Sequence, residues 1–187
     1  MTEDIKAPLL PPTFDQNPEL KAKLEEYLRS IPEAKRQEQS DLIAKYAAGE
    51  MTWAEIKNVP QSLLKQLARV AYTKYKVGDL KTAELLFKCL SIVDHTNWYY
   101  RAALGTIFQK QGHFDQAIEE FNLVQEICAD EVTSLVNRGI CFAKMKDYDA
   151  ALEDFTRVSQ LPLDMNHPWV KKARMLSHAI LTMEKKG

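Results

Sequence analysis

The chain has 187 residues, one domain's worth or a little more, of which 45% are apolar and 27% charged, as in an ordinary globular protein. Its 6 glycines and 8 prolines are too few for a sandwich or barrel built on tight turns, so the composition leans helical. The 25 basic and 26 acidic residues give a formal net charge of −1, without the basic excess of a protein that tracks nucleic-acid phosphates.

The opening run MTEDIKAPLLPPTF lacks the basic n-region and long apolar h-region of a secretory signal, so none is expected. Pro8, Pro11, Pro12 and Pro18 fall within the first 18 residues. Proline fixes φ and removes a donor, which predicts a flexible, extended arm over 1–18. A helix follows, because Leu20, Leu24, Tyr27, Leu28 and Ile31 recur at three- and four-residue steps. Pro32 interrupts it. A second helix is predicted over 33–48, with Gly49 as its C-terminal cap residue. Thr52 and Glu55 have capping-box spacing and open a short helix through Lys57, which Pro60 closes. These pieces form an N-terminal helical extension over 19–60.

From residue 61 to 184 the pattern changes. Shifting the chain by 34 positions aligns it with itself. Ala71, Gly105 and Gly139 form one series, and Gly78, Gly112 and Lys146 the next. Leu80, Phe114 and Tyr148 follow, then Ala83, Ala117 and Ala151, then Phe87, Phe121 and Phe155, and finally Val93, Ile127 and Leu161. The period, the small residues and the aromatic placement resemble the tetratricopeptide repeat, in three copies over 64–97, 98–131 and 132–165. Each copy is then two antiparallel helices joined at GDL, GHF or KDY. Glycine at that turn takes the left-handed conformation that ends the first helix, and Lys146 in its place costs about 1 kcal/mol if φ is positive. The small residues let the helices approach, and the phenylalanines are expected to fill the space between one repeat and the next. A capping helix from Pro168 to Met183 closes the array with Val170, Ala173, Leu176 and Ile180 inward. Its Lys171, Lys172 and Arg174, with Lys185 and Lys186, read as a solvated face. The fold class is all-α, a right-handed superhelix of three repeats with a C-terminal cap and an N-terminal helical extension.

Little points to catalysis. His95, His113, His167 and His178 do not pair at metal-ligand spacing, and there is no phosphate loop, GxSxG or HExxH. Asp94–His95 reads as a repeat-end turn. Cys89, Cys128 and Cys141 have no zinc spacing and read as reduced cytoplasmic thiols. No apolar run approaches the roughly 18 to 20 residues needed to cross a bilayer. No cofactor, metal or stable membrane insertion is expected.

A superhelix of helix pairs offers a concave surface for extended peptides. Register places Ala68, Tyr72 and Tyr75 on it in copy one, and Tyr99, Ala102, Thr106 and Gln109 in copy two. Copy three adds Thr133, Val136, Ile140 and Ala143. Small residues beside aromatics make pockets suited to a segment rich in proline and leucine. Tyr72 and Tyr75 could instead pack on a neighbouring helix. A clamp for a terminal carboxylate needs cations on inner positions. Ala68, Tyr72, Ala103, Thr133 and Asn137 stand there, so a carboxylate-clamp co-chaperone is not expected.

Two stretches are more specific. GEMTWAEIKNVPQSLLKQLARVAYTKY, from Gly49 to Tyr75, resembles the lead-in of the class II translocator chaperones of type III secretion. LSIVDHTNWYYRAALG, residues 90–105, resembles their junction between repeats one and two. The resemblance covers residues 49–183. It implies a bacterial cytoplasmic chaperone, not an enzyme, that keeps hydrophobic translocators soluble before export by gripping a short segment of them in the groove. Tyr72 and Tyr75 match the family's aromatic groove positions, whereas Ala68 departs from the tyrosine found there in several members. N-terminal helices mediate homodimerisation in several members, which makes Leu24, Tyr27, Leu28 and Ile31 candidates here, with packing on the chain's own repeats as the alternative. The other function class is a general tetratricopeptide scaffold for another complex. The arm segment Ala7-Pro8-Leu9-Leu10-Pro11-Pro12 has the composition such a groove accepts, and is either a groove occupant or a tail.

Overall fold

A computed structural model of the protein describes residues 18–184. The arm expected over 1–18 therefore lies, except for Pro18, outside the described residues, as do Lys185 and Lys186. Among the described residues there are ten helices and no strand. The chain divides into two compact units, 1–59 and 60–187.

The first unit holds α1 (Pro18–Ser30), α2 (Glu33–Ala47) and α3 (Trp53–Ile56). Leu28 and Ile43 are buried together, with Leu24 and Ile31 packed against them. Pro32 breaks the helix between α1 and α2, and Arg36 satisfies carbonyls left open there. Its Nε donates to the Leu28 carbonyl at 3.1 Å and its Nη2 to that of Ile31 at 3.4 Å. Gly49, at φ 75°, ends α2, and the next amide, of Glu50, donates back to the Lys45 carbonyl at 2.9 Å. The capping box forms as the spacing predicts. Thr52 Oγ1 accepts from the Glu55 amide at 3.2 Å, and the Glu55 carboxylate accepts from the Thr52 amide at 2.7 Å.

The second unit is the repeat array. It contains α4 (Gln61–Lys76) with α5 (Leu80–Val93), α6 (Trp98–Gln111) with α7 (Phe114–Ile127), α8 (Val132–Lys144) with α9 (Tyr148–Gln160), and the cap α10 (Pro168–Glu184). The three hairpin turns are left-handed, with φ of 86° at Gly78, 82° at Gly112 and 67° at Lys146. In each turn the following amide reaches back to the first helix: Asp79 to Lys74, His113 to Phe108 and Asp147 to Phe142, all at 2.9 Å. Asp79 and Asp147 then cap the second helix, accepting from the amides of Thr82 and Ala150 at 3.2 Å each. The Thr82 side chain and amide, with Lys74 nearby, hold the Asp79 carboxyl below its ordinary range.

Ala71, Ala83, Ala117 and Ala151 are fully buried where the helices cross. The phenylalanines differ from expectation. Phe121 and Phe155 press on the glycine of their own repeat rather than only filling the gap to the next. A Cβ at Gly105 would lie 2.6 Å from the Phe121 ring, and one at Gly139 would lie 2.6 Å from Phe155. Phe87 does face forward, with its ring centroid 6.0 Å from Tyr99 and 6.5 Å from Tyr100. Behind the last repeat, Leu135, Val136, Phe155 and Val158 form one core with Val170, Ala173 and Ile180 of α10, and Leu176 packs on it.

Candidate peptide-binding groove

The first helices of the repeats, α4, α6 and α8, form one wall. Where α4 meets α6, the aromatic side chains gather. Tyr72 and Tyr75 are three positions apart and share a helical face, with ring centroids 6.3 Å apart. Tyr99 sits edge-on to Phe87 at 6.0 Å and to Trp98 at 6.3 Å. Such edge contacts fix ring orientation and exclude collapse of the space between them. Ala102, Ala103 and Thr106 on α6 leave room beside these rings. The result is an apolar pocket of about 240 Å³, closed on the α8 side by Thr133 and Glu131. Tyr72 and Tyr99 remain 48% and 40% exposed, so their edges are open to a ligand. Burial, with Tyr72 nearby, raises the Tyr99 phenol above its ordinary range, so it stays a neutral donor at physiological pH. Lys110 Nζ stands 4.7 Å from the centre of the Tyr75 ring.

A second, wider recess of about 590 Å³ adjoins this pocket, with Tyr72 and Tyr99 as shared walls. Ala68 lines that recess and not the aromatic pocket, and is itself largely buried. Of the groove positions read from register, Tyr72, Tyr75, Tyr99, Ala102, Thr106 and Thr133 share the first pocket. Gln109 does not project into it. Its Nε2 bridges α6 to α8, donating to the Asn137 carbonyl at 3.1 Å and to Cys141 Sγ at 3.4 Å. Val136 is fully buried and lies in the core beneath the wall. Copies one and two have Ala68 and Ala102 at the equivalent place. The larger valine is instead drawn into contact with α9 and α10. Ile140 and Ala143 line a separate recess of about 270 Å³ against Leu176, Ile180 and Met183 of α10.

Periodicity missed Trp98, Phe87 and Ile107 as pocket residues. Trp98 opens α6, outside the inner-face register, and the recurrence of the Phe87 series in every copy reads as packing between repeats. The consecutive aromatics Trp98-Tyr99-Tyr100 were the available signal, since a run of three cannot all be buried on one helix face. In the first unit, Leu24, Leu28 and Ile31 are engaged by Ile43. Leu28 is fully buried and cannot serve a partner, whereas Tyr27 is 43% exposed.

No helix among the described residues is long and apolar enough to cross a membrane. Residues 99–131 match the tetratricopeptide-repeat family model. The low calcium response locus protein H of Yersinia pestis is 27% identical over 77 residues, 41% of this chain and 46% of that protein. The aligned stretch thus spans about half the length of that relative. Among solved structures, a type III secretion complex from Aeromonas hydrophila superposes with a TM-score of 0.73 at 19% identity, covering 79% of this chain and 99% of that one. The Yersinia enterocolitica type III secretion translocator chaperone SycD gives 0.60 at 22% identity, covering 73% and 98%. SycD has also been solved with a peptide of the translocator YopD. The fold of this chain is that of the tetratricopeptide-repeat translocator chaperones.

Proposed function

We propose that the protein is a chaperone of type III secretion, acting in the bacterial cytoplasm, which binds hydrophobic translocators and keeps them soluble before export. The observation that carries this reading is the aromatic pocket between α4 and α6, set in an array whose fold is shared with SycD, a chaperone solved with a translocator peptide. Translocators carry long apolar segments that would associate or insert prematurely, and an extended segment gripped in such a groove lowers that risk. The role is one of binding, and no catalytic step is assigned to any residue. If two copies pair, Tyr27 is the exposed one of the four candidates Leu24, Tyr27, Leu28 and Ile31.

The test is co-expression with the protein of a neighbouring reading frame that has two apolar segments of about 20 residues. That partner is expected to be insoluble alone and to co-purify in soluble form with this chain. Continued insolubility would favour a general repeat scaffold instead. Within the chain, the double variant Tyr72→Ala/Tyr75→Ala is expected to weaken client binding at least about tenfold, as for two aromatic anchors. Its helical circular dichroism should be unchanged. Loss of helical signal would make the two tyrosines core residues.

A further inference from the structure

The net charge of −1 conceals a separation of charge within the repeats. The inner helices α4, α6 and α8 contain no aspartate or glutamate, yet they carry Lys or Arg at four positions on α4 and two each on α6 and α8. Their outer partners hold the acids, one on α5, four on α7 and three on α9. Several inner cations are already engaged. Lys74 meets Asp79 at 3.3 Å, Arg101 meets Glu120 at 3.2 Å and Arg138 meets Asp154 at 2.6 Å. Lys65 and Arg69 differ. They are exposed, and no carboxylate among the described residues pairs with either. Both line the wider recess, beside Thr73 and Asn97, and Tyr72 and Tyr99 join that recess to the aromatic pocket. The one carboxylate among the described residues lining the aromatic pocket is Glu131, and it is committed to the start of α8. Its oxygens accept from the amides of Ser134 at 2.6 Å and Thr133 at 3.2 Å.

We infer that the groove selects client segments in which the apolar anchor is flanked by aspartate or glutamate side chains, with Lys65 and Arg69 as the residues that read them. This rests on the client-binding function proposed above and adds the chemistry of the client. An extended segment with its anchor between Tyr72, Tyr75 and Tyr99 carries its neighbouring residues past Lys65 and Arg69. A carboxylate there gains charge-assisted hydrogen bonds from a guanidinium and an ammonium. A lysine or arginine there meets like charge, with no acid on the inner helices to offset it. Attraction to one flank and repulsion of the other together set specificity. The occupant is defined by side-chain carboxylates and not by a chain terminus, since the register positions of a terminal-carboxylate clamp hold Ala68 and Tyr72.

The test uses the full chain and three fluorescein-labelled peptides with both ends blocked. They share one Pro-Leu core and differ only in flanking residues, aspartate, asparagine or lysine. Fluorescence anisotropy is expected to rank them in that order, with aspartate flanks about fivefold tighter than asparagine, a gap that narrows as salt rises. The variant Lys65→Glu/Arg69→Glu should reverse the ranking of the aspartate and lysine peptides with the helical signal intact. Equal affinity for all three peptides, or an unchanged ranking in the variant, overturns the inference and leaves the client-binding function standing. Binding of none of the three removes the groove as a peptide site, and the inference with it.

Discussion

Cys141 lies on the buried side of α8, where Gln109 Nε2 reaches its sulfur at 3.4 Å. Burial pushes the thiol up to about 11, against an ordinary 9.0, and the Gln109 contact only partly offsets this. The unfolded chain therefore loses this proton first. Between about 9 and 11 the folded state binds more protons than the unfolded state, so stability falls as pH rises, by at most roughly 2 to 3 kcal/mol. The urea midpoint of the wild type should drop across that window, and that of Cys141→Ala should drop less. The same burial shields the sulfur from reagents, whereas Cys89 is exposed. With a thiol-reactive dye at neutral pH, Cys89 should label in the folded protein and Cys141 only after denaturation. Lys146 shows a different single-residue effect. At φ 67° it holds a conformation that Gly78 and Gly112 adopt in the other two turns. Lys146→Gly relieves that strain but also loosens the unfolded chain, so a net gain of about 0.5 to 1 kcal/mol is expected by chemical denaturation.

Pairs of helices are held at a fixed spacing by contacts between one glycine and one ring. At Gly105 a Cβ would come within 2.6 Å of Phe121, and at Gly139 equally close to Phe155. Gly105→Ala or Gly139→Ala should force the helices of that repeat apart, at a cost of about 1 to 3 kcal/mol. Gly112→Ala has open space around it, and its smaller cost comes from the left-handed backbone alone. Adding Phe121→Leu to Gly105→Ala should recover part of the loss, and a double-mutant cycle measures the coupling. The helices and their turns were legible because glycine, proline and the cap residues act locally. Thr52–Glu55 and Gly78 do in the structure what their spacing implies. The depth of a side chain was less legible, because it depends on which neighbour arrives. Val136 holds the same register as Ala102, yet α10 draws it into the core while Ala102 stays at the pocket. Leu24, Leu28 and Ile31 read equally well as an interface or as packing on the chain's own repeats, and the structure instead sets them beside Ile43 of α2.

Across the array, each repeat packs mainly on its sequence neighbours, so stability is close to a sum of repeat terms and interface terms. The last interface has no fourth repeat behind it. Val170, Ala173 and Ile180 of α10 fill that place and are 2%, 0% and 6% exposed. Opposite them lie Leu135, Phe155 and Val158, fully buried in the same core. The Arg138–Asp154 pair, with Asn122 also bound to Arg138 at 2.7 Å, ties α7, α8 and α9 together one layer further in. The aromatic pocket is built mainly by α4 and α6, with Thr133 and Glu131 at the start of α8 closing one side. Val170→Asp places a charge without a partner in the capping core and should cost at least about 3 kcal/mol there. In a fully cooperative domain that loss would lower protection everywhere. In a nearest-neighbour array it should instead appear first in α8, α9 and α10, with α4 through α6 keeping most of their protection. Amide hydrogen exchange resolved along the chain separates the two outcomes. Uniform loss of protection would mean that the array folds as a single unit. Retained peptide binding alongside a frayed C-terminal end would show that the groove is carried by the first two repeats.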